Sequence, residues 1–110
     1  MPKYLYLGSY TDEAWRRMIE TPPDRPSAAA KLAEALGGST DCFYYAFGEF
    51  DLVTIMDLPD DAAAAALSLA VTSTGRVKSL KTHRLISAEE APAMFAHAQT
   101  AVGSYEVPGG

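Results

Sequence analysis

The side chains able to do chemistry in this sequence are few, and most sit on segments that read as β-strands. His83, between Thr82 and Arg84, has the chemistry of a general base, because an imidazole exchanges its proton near neutral pH. A lone strand histidine is nonetheless most simply a hydrogen-bonded structural residue. Asp51 opens a strand just after a turn. Its carboxylate would either accept backbone N–H groups of that turn and fix the hairpin, or meet a ligand at a subunit interface. Glu49, at the tip of the same turn, reads as solvated charge. Tyr4, Tyr6, Tyr10, Tyr44 and Tyr45 carry phenols that could donate into a pocket, although strand aromatics serve first as core and interface. From this set Tyr6, Tyr45, Asp51 and His83 are the candidate ligand contacts, and no catalytic residue is assigned.

Other chemistries find little support. Cys42 is the single cysteine, so it cannot form an intrachain disulfide and reads as a small buried strand residue rather than an activated nucleophile. His83 and His97 lack the paired spacing of metal ligands, and His97 reads as a surface residue of a terminal helix; no metal and no cofactor are expected. There is no Gly-rich phosphate loop and no Gly-x-Ser-x-Gly elbow, and Ser73-Thr74-Gly75 closes a helix rather than opening one.

Composition narrows the setting. At 110 residues the chain makes one domain, with 48% apolar and 21% charged residues, as in an ordinary soluble globular protein. A net charge of -5 argues against a nucleic-acid partner; the densest basic stretch, Arg76 to Arg84, reads as a strand. No apolar run approaches the roughly 20 residues of a membrane helix. Met1-Pro2-Lys3 leads into a strand pattern rather than a secretory signal, so a cytoplasmic location is expected.

The elements that must position these side chains centre on Asp41 to Asp57, where two aromatic and β-branched runs flank Gly48-Glu49. That pattern predicts a hairpin with a two-residue type II′ loop, because Gly48 takes positive φ freely. Phe47 would then lie opposite Phe50, Tyr45 opposite Leu52 and Phe43 opposite Thr54. One face would carry Phe43, Tyr45, Phe47 and Phe50, and the other Cys42, Tyr44, Val53 and Ile55. Before the hairpin, Lys3 to Tyr10 alternates as a first strand. Thr11 or Asp12 caps a short helix with Trp15, Met18 and Ile19 on one face, running to about Glu20. Pro22, Pro23 and Pro26 break the helical region, most simply as a surface kink, with a lid over a pocket as the alternative. A second helical piece ends at Gly37-Gly38. After the hairpin, Pro59-Asp60-Asp61 opens an alanine-rich helix, Arg76 to Ile86 is a fourth strand, and Ser87-x-x-Glu90 forms a capping box before a last helix. Pro92 falls late for that cap, so the helix would begin later or bend.

The order is β-α-β-β-α-β plus a terminal helix. Two right-handed crossovers around a hairpin give an α+β, ferredoxin-like fold: a four-stranded antiparallel sheet with helices on one face. The domain is expected over 1–98, with a tail over 99–110 that could wrap a neighbour. Helices on one side would leave the phenylalanine-rich face of the hairpin bare, and two such sheets packed face to face in a homodimer would cover it.

The stretch Phe-Tyr-Tyr-Ala-Phe-Gly-Glu-Phe-Asp-Leu-Val, followed by Leu-Pro-Asp-Asp and an alanine-rich helix, resembles the GYD-domain family of small bacterial proteins. The opening Tyr-Leu-Tyr-Leu-Gly-Ser-Tyr-Thr and the Leu-Gly-Gly before the second strand extend the likeness over about residues 3–90. The naming motif stands here as Gly48-Glu49-Phe50-Asp51, with Phe50 in the tyrosine's place and its hydroxyl missing. The resemblance implies a dimeric α/β barrel and little about activity. The hairpin is also similar to that of amino-acid-binding effector domains in feast/famine transcription regulators, but no helix-turn-helix precedes it here. The leading expectation is a homodimer, or higher oligomer, binding a small molecule in the barrel or at the interface. The alternatives are a cofactor-independent monooxygenase or isomerase using His83 or Asp51, and a structural oligomerisation protein without a pocket. Fold likeness alone does not choose among them.

Overall fold

Alternation along the first strand sets the architecture. In β1 (Lys3–Tyr10), Tyr4, Tyr6 and Tyr10 are buried while Leu5 and Leu7 are only half-covered. The computed structural model describes residues 1–109, and its remaining elements are α1 (Asp12–Glu20), α2 (Arg25–Ala35), β2 (Ser39–Tyr45), β3 (Leu52–Asp57), α3 (Asp61–Thr72), β4 (Val77–Leu85) and α4 (Ala91–Val102). The strands form one antiparallel sheet in the order β2-β3-β1-β4, the ferredoxin-like arrangement. Tyr6 sits level with Thr54 on one side and Thr82 on the other; Leu5 sits between Ile55 and His83. Period-2 alternation therefore gives a face of Tyr4, Tyr6, Leu52, Thr54 and Met56, and an opposite face of Leu5, Leu7, Val53 and Ile55.

The first face carries the core. Tyr4, Tyr6, Met56 and Leu58 pack with Ala33, Ala64 and Leu67 of α2 and α3 at one end of the sheet. Tyr10, Leu52 and Val77 pack with Ala14 at the other. The small residues on α2 and α3 let those helices lie close to the strands. Gly38 serves the same closeness at the α2–β2 junction: a Cβ there would run into the carbonyl oxygen of Asp57 and lie 2.9 Å from Leu58 Cδ2.

Helix ends follow local chemistry. Thr11 Oγ1 accepts from Ala14 N, Asp24 Oδ1 from Ser27 N and Asp60 Oδ1 from Ala63 N, each satisfying an otherwise orphan donor. The proline break yields two separate helices, with Pro26 in the first turn of α2. Ser87 and Glu90 form the reciprocal capping box, and the α-helix proper starts one residue later, which puts Pro92 in its first turn.

Two expectations about the hairpin are corrected. The pairing Tyr45↔Leu52 and Phe43↔Thr54 is present, with a register shift between Thr40 and Cys42, but no two-residue turn closes it. Ala46 N donates to Asp51 O at 2.8 Å, and residues 47–50 bulge beyond that bond with Phe47 fully exposed. The cause is Asp51, whose N–H donates to Gly8 O at 2.8 Å and whose carboxylate is held by β1 and α1, so the chain is pinned before it can close tightly. The bare face is also the other one. Phe43 lies on the helix-covered side with Leu52, and the uncovered sheet face presents Leu5, Leu7, Cys42, Tyr44, Val53 and Ile55.

The last helix stands apart. None of the residues of α4 is buried, and Met94, Phe95 and Val102 are exposed. It runs to Val102, across the expected boundary at 98. The radius of gyration is 17.7 Å and the longest dimension 58 Å, against about 13 Å for the gyration radius of a compact chain of this length. The excess reports an arm projecting from the body.

Candidate functional site

At the end of the sheet where β1 gives way to α1, the helix layer does not close. A groove of about 680 Å³ runs between α1, α2, α3 and the strands, a volume within the ~300–1,000 Å³ of small-molecule sites. Strands β1 and β4 supply Tyr10 and Val77 at its base, with Arg76 just before β4. Helix α1 supplies Ala14, Arg17 and Met18, the proline turn supplies Thr21 and Pro23, and α2 supplies Arg25 and Leu32. The last turns of α3 add Ala70 and Val71. The break in the helical region is what leaves this gap: residues 21–24 carry the chain across without covering it. Thr11 N donates to Arg76 O at 2.9 Å, which ties the start of α1 to the start of β4 and fixes one wall.

Tyr10 is the centre of the site. Only 3% of it is exposed, and its hydroxyl lies within reach of the Arg25 guanidinium without a well-aligned hydrogen bond. An unpartnered buried hydroxyl costs about 1–3 kcal/mol. Arg25 Nε, also buried, is likewise unpartnered, and Arg25 makes no ion pair among the described residues. Burial pushes the Tyr10 phenol above its ordinary range, while the neighbouring Arg25 guanidinium pulls it back down. Arg17 is partly neutralised by Glu13 at 3.0 Å, and Glu20 adds one carboxylate to the lining. The tyrosine ring packs edge-to-face on Trp15, with centroids 5.2 Å apart.

Asp51 supports this arrangement from behind. Its Oδ2 accepts from Tyr10 N at 2.9 Å and from Trp15 Nε1 at 3.2 Å, so one carboxylate fixes both aromatic residues. The other sequence candidates lie elsewhere. Tyr6 donates its hydroxyl to Ala64 O at 2.9 Å beneath α3. Its phenol is pushed up to about 12, first by burial and then by Tyr4, with Ser68 opposing. Tyr45 ends β2, half exposed, with its ring edge-to-face on Phe43 at 5.5 Å. His83 is exposed on the sheet face that no helix covers. The structure does not bring Tyr6, Tyr45, Asp51 and His83 together, and none of them lines the groove.

Arg25 was not singled out from sequence, yet a signal exists. Neither Thr21 nor Ala29, four residues away on either side, can pair with it, so it is a helical cation without an acidic neighbour at helical spacing. Among the described residues no cluster of His, Cys, Asp and Glu could hold a metal ion, and no helix is long and apolar enough to cross a membrane.

Comparison with known proteins gives a family and a fold. The family model described as GYD domain matches residues 4–95. No curated protein matches the chain. Two solved structures share the architecture at a TM-score of 0.52. The crystal structure of FFRP-DM1 is 16% identical, the match covering 78% of this chain and 100% of that one. The structure of At3g17210 from Arabidopsis thaliana is 13% identical, covering 79% of this chain and 95% of that one. At such identities the likeness concerns the fold alone.

Proposed function

The chain belongs to the GYD-domain family, and we propose that it is a small-molecule-binding domain that holds its ligand in the groove beside Tyr10 and acts as a homodimer. The observation that carries the reading is a buried Tyr10 hydroxyl beside a buried Arg25 Nε in one groove, neither with a well-aligned hydrogen-bond partner. Folded proteins rarely leave two such donors unsatisfied side by side, and a bound molecule would satisfy both. Asp51 serves as a positioning residue behind the groove. The unpaired Cys42 fits a reducing, cytoplasmic setting.

The homodimer rests on two unpartnered apolar surfaces of the same chain. The apolar part of the bare sheet face, three strands about 4.8 Å apart and six residues at about 3.3 Å each, offers a footprint of roughly 300 Å², since β4 presents Ser79, Lys81 and His83 there. A stable interface covers about 800 Å² per partner, so the sheet alone falls short. Helix α4 adds a further footprint of roughly 180 Å², being about 18 Å long and 10 Å wide, and the two together still fall short of that area, as in a weak dimer. Its Phe95, Ala98 and Val102 lie at helical spacing around one shallow concavity. A second copy is the occupant that would cover both surfaces at once by a two-fold axis.

A thermal-shift screen of small molecules on the wild type and on Ala70→Trp tests the binding site. Ala70 is exposed and lines the groove, so an indole there would fill it without entering the core. Compounds that raise the melting temperature of the wild type and not of the variant support the reading. A set of hits that stabilise both proteins equally would contradict it. For the dimer, light scattering of the chain ending at Glu90 is compared with the full chain: loss of self-association with retained secondary structure is expected. An arm whose removal leaves the mass ratio unchanged would sink its role.

A further inference from the structure

The groove's two buried polar atoms without a well-aligned partner, Tyr10 Oη and Arg25 Nε, are both donors, and this says what its ligand carries. Tyr10 and Arg25 offer O–H and N–H donors, while Glu20 supplies a carboxylate among the lining residues. We propose that the groove binds an amphipathic monoanion, a carboxylate joined to an apolar chain or ring, with the carboxylate on Arg25 and the Tyr10 hydroxyl; this rests on the groove being the binding site. The planar guanidinium fork matches the two oxygens of a carboxylate, and a phenol supplies a third donor from the side. Met18, Leu32 and Val71 give the rest of the molecule an apolar wall. The volume leaves room for a body of this kind behind the head group.

Two features argue for a single negative charge. Glu20 also lines the groove and would repel a more highly charged head group. The base of the groove also lacks the glycine-rich run of backbone N–H groups on which phosphates are usually held. A neutral ligand, in turn, would leave the Arg25 charge uncompensated against an apolar wall, which is costly. The chain as a whole carries -5, so a site that presents Arg17, Arg25 and Arg76 around one groove departs from the character of the molecule.

Calorimetric titration of the full chain with decanoate and with 1-decanol tests the inference. Decanoate should bind roughly tenfold or more tightly than the alcohol, reflecting the charge-assisted contacts. Arg25→Gln should remove that preference, weakening decanoate by about tenfold and leaving decanol unchanged, while Tyr10→Phe should weaken decanoate by about threefold. Circular dichroism of both variants checks that the fold persists. Equal affinity for acid and alcohol, both blocked by Ala70→Trp, would overturn the anion while keeping the groove. Decanoate binding that Ala70→Trp leaves intact would overturn the groove itself. An absence of decanoate binding in the wild type would overturn the anion, with the compound screen deciding the groove separately.

Discussion

Replacing Asp51 measures how much of the site's geometry depends on one carboxylate. Asp51→Ala removes two charge-assisted hydrogen bonds, from Tyr10 N at 2.9 Å and Trp15 Nε1 at 3.2 Å, and leaves both donors without this acceptor. Hydrogen bonds to charged groups contribute about 1.5–3 kcal/mol each. Water can reach this half-buried site in part, so the lower end applies and a total near 3 kcal/mol is expected. Against a typical domain stability of about 5–15 kcal/mol that is a large fraction. At about 4 °C per kcal/mol for a chain of this size, the melting temperature should fall by about 12 °C. Asp51→Asn keeps one acceptor oxygen and loses the charge, so roughly half that drop is expected. Glu49→Ala, two residues away and exposed in the loop, should stay within about 0.5 kcal/mol of wild type. Trp15 is the only tryptophan, so its fluorescence reports the rearrangement directly. An Asp51→Ala protein melting within about 2 °C of wild type, with unchanged emission, would refute the strut and leave Asp51 free to be a ligand contact.

Two further outcomes follow from the packing. Tyr6→Phe deletes the hydroxyl that donates to Ala64 O and should cost about 1 kcal/mol at neutral pH. In the wild type the folded phenol, at about 12, lies above its unfolded value of 10.0, so this contribution is intact below pH 10 and is lost as pH rises toward 12, where only the unfolded chain has released the proton. Urea melts across that range should show a steeper alkaline loss for wild type than for Tyr6→Phe, and parallel curves would contradict the assignment. Gly38→Ala should destabilise by about 3 kcal/mol or more, because the added methyl meets backbone at Asp57 rather than a side chain that can move. A near-neutral melt for that variant would show that the α2–β2 junction is looser than described.

Much of the fold was legible because its determinants are local. Thr11, Asp60 and the Ser87–Glu90 box each act within a few residues, and the alternation of Tyr4, Tyr6 and Tyr10 is a property of one strand. The shape of the hairpin tip was not local. Its end is set by Tyr10 and Trp15, which lie 41 and 36 residues from Asp51 in the chain. Which face of the hairpin stays bare was equally unreadable, since both faces are apolar and only the docking of α2 and α3 distinguishes them. The groove drew its residues from three helices, two strands and the connecting segments, and its key cation carried no motif. None of the four sequence candidates lines the groove, and only Asp51 bears on it, through its hydrogen bonds from Tyr10 N and Trp15 Nε1.

Amide chemical shifts of the isotope-labelled full chain, mapped during titration with decanoate, locate the ligand site directly. Perturbations should concentrate at Tyr10, Met18, Arg25 and Val71, with Leu5, Val53 and Ile55 unmoved on the opposite sheet face. Shifts centred on Leu5, Val53 and Ile55 instead would place binding on the open face and rule out a site beside Tyr10.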